Sequence, residues 1–165
     1  NPVIDSTQKD LMKLLNANSY QKGSWVLHML RKKVGDKVFQ KIIQTYYSTY
    51  KLANASSADF EHVAEEVSEM ELTSFFNQWL RRPGIPQLSV RLGVKKKNIA
   101  GLIIHLQNYE VYEIPLQLKI NFTDGTSIIE TMGISDKVTE INKTYSKKIS
   151  SFVLDPNVEL LFEKI

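Results

Sequence analysis

Apolar residues recur along this chain with two different periods, and the change between them falls at Pro83-Gly84-Ile85-Pro86. Before it they return every three or four positions, the signature of helices that bury one face. Val26, Met29, Leu30 and Val34 make such a stripe in a helix predicted over 19–34. Asn18 stands where an N-cap belongs, and Gln21 completes a capping box. Gly35 is placed to end the helix in a left-handed conformation. Asp36 is placed to cap the next helix, whose face is Phe39, Ile42, Ile43, Tyr46 and Tyr50. Ser56 and Asp59 form a second capping box ahead of Phe60, Val63, Ala64 and Val67. The clearest helix spans 71–80, where Leu72, Phe75, Phe76, Trp79 and Leu80 form a wide stripe. A short first helix is expected over 7–15, with Thr7 and Asp10 as its box and Leu11, Leu14 and Leu15 as its stripe.

After Pro86 the period falls to two. Leu88, Val90, Leu92 and Val94 alternate with Gln87, Ser89, Arg91 and Gly93, and Ile114, Leu116, Leu118, Ile120 and Phe122 alternate as strictly. Asp124-Gly125 marks a hairpin turn. Pro115 hints at an edge or an irregular start. Further strands are expected at 102–107, 127–132, 137–142, 149–154 and 159–162. The fold class that follows is α+β in two segregated parts: an all-α bundle over 1–84, then a small antiparallel β-sandwich over 85–165. There is no internal repeat.

Composition narrows the function. A chain of 165 residues, 42% hydrophobic and 24% charged, can bury a core without staples. The net charge of +3 is small, and its basic residues are spread through both parts. The one local run, Lys95-Lys96-Lys97, lies between two strands, where lysines discourage edge pairing. No Gly-rich phosphate loop or basic helix is present, so nucleic acid is not an expected partner. No apolar run reaches the roughly 20 residues of a membrane span. With no cysteine, disulfides and thiolate metal sites are excluded. Serine-hydrolase chemistry has no G-x-S-x-G to rest on. The sequence assigns no compartment, with a lean toward a bacterial exported or periplasmic protein.

Chemistry-bearing residues are few. His62 with Glu65 or Glu66 has the spacing of a metal pair, although a solvated helix face explains the same residues. Tyr46, Tyr47 and Tyr50 read as core and boundary packing. Asn54-Ala55-Ser56, Asn121-Phe122-Thr123 and Asn142-Lys143-Thr144 match the glycosylation pattern by chance in a chain rich in these residues. Tyr20 stands in the first turn of a predicted helix, near unpaired N–H groups and the positive end of the dipole. Spacing alone leaves it open between packing and catalysis.

Tyr20-Gln21-Lys22-Gly23-Ser24, running on to Leu27, Met29, Leu30, Arg31 and Gly35-Asp36, resembles the aminopeptidase N family of gluzincin zinc metallopeptidases. The resemblance continues at Asp59-Phe60, Phe75-Phe76, Trp79 and Pro83-Gly84 with Pro86. Phe152 to Asn157 resembles the close of that family's small β-domain. The family's H-E-x-x-H motif is missing: His28, His62 and His105 are the only histidines, and none is followed by glutamate. The resemblance implies a fragment of a zinc-dependent aminopeptidase, starting after the metal site. It further implies that 1–84 is the helical end of a catalytic domain and 85–165 an immunoglobulin-like accessory domain. In this family a tyrosine donates a hydrogen bond to the oxyanion that forms at the peptide carbonyl, a role carried here by Tyr20. Lys22 is expected to pair locally and Gly23 to allow close helix packing. Zinc and the peptide substrate belong to the parent, no metal is expected on this chain, and its implied partner is the zinc-bearing part of the same domain. The alternative is a non-enzymatic helical and β-sandwich module that mediates contacts.

Overall fold

A computed structural model describes residues 2–5, 7, 9, 10, 13, 18–96 and 99–165. The chain divides into two compact units, Asn1–Gly84 and Ile85–Ile165. The helix expected over 7–15 lies mostly outside the described residues, as does the tip of the Lys95–Asn98 turn. Thr7, expected to cap with Asp10, instead donates from its N–H and hydroxyl to Asp5 Oδ1.

The first unit holds four helices among its described residues. Helix α1 is Gly23–Val34, entered through a wide π-type turn over Asn18–Lys22. Helix α2 is Asp36–Tyr50, α3 is Ser57–Ser68, and α4 is Thr73–Phe76, which runs on into a second wide turn at Asn77–Arg81. The helix expected at 71–80 therefore starts two residues late. Glu65 explains the delay: its Oε1 accepts the Leu72 N–H at 2.9 Å and the Thr73 hydroxyl at 3.0 Å, fixing the entry there.

Gly35 ends α1 as expected, but at φ 86° and ψ 156° it lies outside the left-handed helical region. Its N–H donates to Arg31 O and its carbonyl accepts from Phe39, each at 2.9 Å, so one residue closes α1 and opens α2. Asp36 is thus a first-turn residue and not the cap; its carboxylate takes Arg31 Nε at 2.8 Å. The Ser56–Asp59 box forms as read, with reciprocal bonds. Leu30, Ile42, Val63, Ala64, Leu72 and Phe76 make the core. A train of rings lines it: Tyr50 on Tyr46, Tyr46 edge-on to Phe60, Phe60 to Phe76 and Phe76 to Phe75. Edge-to-face pairs of this kind suit the ring quadrupoles. Ile43, placed on the buried face by spacing, is exposed, as is Tyr47.

The second unit is two sheets. One is ordered β5-β2-β1-β7 and the other β4-β3-β6. The strands are β1 Gln87–Lys96, β2 Ile99–Leu106, β3 Ile114–Phe122, β4 Ser127–Ile134, β5 Val138–Thr144, β6 Ile149–Leu154 and β7 Glu163–Lys164. All pairs are antiparallel except β1 with β7, which is parallel, so the sheet is mixed where an antiparallel one was expected. The strand predicted at 159–162 is absent from that position. Asp155 accounts for both corrections: its buried carboxylate accepts the Glu159 and Leu160 N–H groups at 2.9 and 3.1 Å. That turn takes the chain from β6 in one sheet to β7 in the other, where it arrives parallel to β1.

Pro115 sits in the central strand β3, opposite Gly133 of β4. Its missing N–H costs little, because β6 pairs with β3 only from Leu118 onward. The inward residues of β3, from Ile114 to Phe122, are all buried.

Candidate active-site segment

Tyr20 lies in the wide turn that feeds α1, and the residue is 64% exposed. Two features hold that turn. Ser24 Oγ donates to Gln21 O at 2.8 Å, and Lys22 Nζ donates to Arg82 O at 2.9 Å. Lys22 was expected to pair locally; its partner lies sixty residues along the chain. The lysine is 5% exposed, and burial lowers its pKa from the ordinary lysine value. Arg82 closes the last helical turn of the unit, where carbonyls lack intrahelical donors and the dipole is negative. Leu80 O, in the same turn, takes its donor from Ile4 N–H at 2.9 Å.

The sequence did carry a signal for Lys22. It stands at i, with Val26, Met29 and Leu30 at i+4, i+7 and i+8, and all three are buried. A lysine on an apolar stripe needs an internal acceptor. The Asn18 cap falls on a side chain outside those described. Gly23 does not serve close packing among the described residues, where a Cβ would meet only Val3 Cγ1, at 4.0 Å, an ordinary contact.

A cleft of about 270 Å³ opens over the start of α1, lined by Gly23, Val26, Leu27, Tyr46, Phe60 and Leu80 among others. Its apolar walls and small size suit a side chain better than a drug-sized ligand.

The histidines do not converge. His28 stacks edge-on to Trp25 at 5.5 Å, His62 is exposed on α3, and His105 sits in β2 opposite Ser89 and Val138. Glu65 is engaged by Leu72 and Thr73, and Glu61 by Arg81 at 2.8 Å. Among the described residues no three His, Asp or Glu side chains gather as a metal-binding group. A zinc ion therefore finds no ligand set among the described residues.

Residues 2–79 match the model of the peptidase family M1 domain. Over those residues the chain is similar to part of an M1 peptidase domain. It is 30% identical to probable aminopeptidase 2 of Sulfurisphaera tokodaii over 128 residues, 76% of this chain and 16% of that relative. It is 29% identical to aminopeptidase N of Lactococcus lactis over 130 residues, 74% of this chain and 15% of that relative. It therefore spans about a sixth of the length of these M1 relatives. The crystal structure of Legionella pneumophila aminopeptidase A in complex with aspartic acid shares the fold, with a TM-score of 0.79 at 17% identity. That likeness covers all of this chain and 20% of the aminopeptidase A chain. The matched M1 segment contains Tyr20, Lys22 and α1 to α4, but stops short of Arg82.

Proposed function

We propose that this chain is a working part of a zinc-dependent aminopeptidase, to which it contributes Tyr20 as the donor to the oxyanion formed at the scissile carbonyl. The carrying observation is Tyr20 itself. An exposed phenol rises from a turn pinned by a buried lysine, inside the segment that matches the M1 model. Wide π-type turns often mark functional positions in helices. A preorganised donor of this kind contributes by meeting charge that develops only in the transition state. Tyr20 needs no proton removed to do so: the neutral phenol is the donor. The attacking group and the residues that hold zinc and the substrate's amino terminus belong to the zinc-bearing part of the parent.

In this reading 1–84 is the helical end of the catalytic domain and 85–165 an immunoglobulin-like sandwich made by the two sheets. Glu130 of β4 supports the sandwich, since it takes Lys143 Nζ of β5 at 2.8 Å and the Tyr145 hydroxyl at 2.9 Å, joining an edge of each sheet. Desolvation and the Glu130 bond raise the Tyr145 pKa, which keeps its hydroxyl a donor.

The test compares the 165-residue chain with the full-length protein on aminoacyl substrates. The chain alone should show no turnover and retain no stoichiometric zinc after dialysis, while the full-length protein turns over. Zinc retained by the chain with turnover would return His62 to the ligands and overturn this reading. An inactive full-length protein would favour a contact module.

A further inference from the structure

We propose that Lys22 is a positioning residue for Tyr20: its bond to the Arg82 carbonyl fixes the wide turn against the last helix and so fixes where the phenol stands. The inference rests on the oxyanion reading of Tyr20. Three observations carry it. Lys22 is one of three buried polar or charged side chains among the described residues, and the others, Gln78 and Asp155, lie outside this turn. Its 2.9 Å bond reaches a backbone carbonyl, an acceptor that no side-chain rotation can move away. It stands two residues from Tyr20, with only Gln21 between them, in the same π-type turn, a geometry frequent at functional positions. A buried ammonium is costly unless it is paired, and here burial already lowers its pKa. Plain packing would be served as well by Met or Leu on the Val26, Met29 and Leu30 face. An ammonium adds one thing to packing, a directional tie between the start of α1 and the end of the helical unit.

A misplacement of about 1 Å at a catalytic group can cost on the order of 10²-fold in rate. The test is a double-mutant cycle in the full-length protein, with kcat and KM measured alongside melting temperature for Lys22→Met, Tyr20→Phe and the pair. Lys22→Met keeps the apolar stem and removes the tie. It should lower kcat by roughly 10-fold or more with KM little changed, and it should add almost nothing in the Tyr20→Phe background, where no donor is left to misplace. An unchanged kcat in Lys22→Met overturns the positioning role. So does the same fold-loss in both backgrounds, which would make Lys22 independent of Tyr20. Tyr20→Phe with unaltered kcat overturns the oxyanion reading and the positioning role with it, and that single variant tells the two failures apart. Should Lys22→Met not fold, Lys22→Gln, which keeps a polar head on a shorter stem, is read in the same cycle against the same outcomes.

Discussion

A hydroxyl that is to meet a reacting oxygen has to be open to it and yet held, and in the proposed reading single residues divide that work. Tyr20 is open and Lys22 holds. Elsewhere buried or bonded polar residues do structural work. Asp155 adopts φ 42° and spends its carboxylate on two backbone N–H groups. Asp155→Ala leaves both donors buried or half-buried without that acceptor and should cost about 2 kcal/mol of stability, read from chemical denaturation. Asp124 shows the same economy at the surface. Lys147 at 2.8 Å, then the Thr126 hydroxyl and N–H, hold its carboxyl below the ordinary carboxylate range. A carboxylate depressed in the folded state adds stability that is fully present above its unfolded pKa and is lost as pH falls through the folded one. The melting temperature of Asp124→Asn should therefore lie below that of the unaltered chain at pH 7, and the gap should close as pH falls below about 4. A gap that stays constant to low pH would deny the carboxylate this role.

At the scale of elements, the helices and most strands were legible because burial on one face writes a period into the sequence. The Ser56–Asp59 box shows how local such a signal can be, since both partners lie within one turn. Ser56→Ala should cost about 1 kcal/mol, and the loss should be recovered with Ser56→Thr. What periodicity could not supply was any feature made by residues far apart. The late start of the last helix depends on Glu65, seven residues upstream of Leu72. The parallel β7 depends on the Asp155 turn. The wide turn at Asn18–Lys22 has no marker in the apolar pattern, because Val26, Met29 and Leu30 give the same stripe whichever hydrogen bonding precedes them. Tyr20 itself was ambiguous from spacing, and the Tyr-x-Lys-Gly resemblance, not the pattern, singled it out. Lys22 was visible as a polar residue on an apolar face, but its acceptor at Arg82 was not.

On the scale of the whole molecule, the division at Gly84 separates two units with cores of their own: Leu30, Ile42, Leu72 and Phe76 in one, Leu88, Ile104, Leu116 and Ile120 in the other. A chain of residues 85–165 should therefore fold by itself, with a sheet-type far-UV spectrum and a cooperative melt. A disordered spectrum would contradict the independence of that core. The match to the M1 model ends at residue 79, within the first unit. The central claim is the donor role of Tyr20, and Tyr20→Phe in the full-length protein tests it most directly because the change removes one hydroxyl and keeps the ring. Steady-state kinetics on an aminoacyl substrate should show kcat reduced by about 10² to 10³ with a smaller change in KM and an unchanged melting temperature. A near-normal kcat, or a fall in activity matched by a fall in stability, would contradict it.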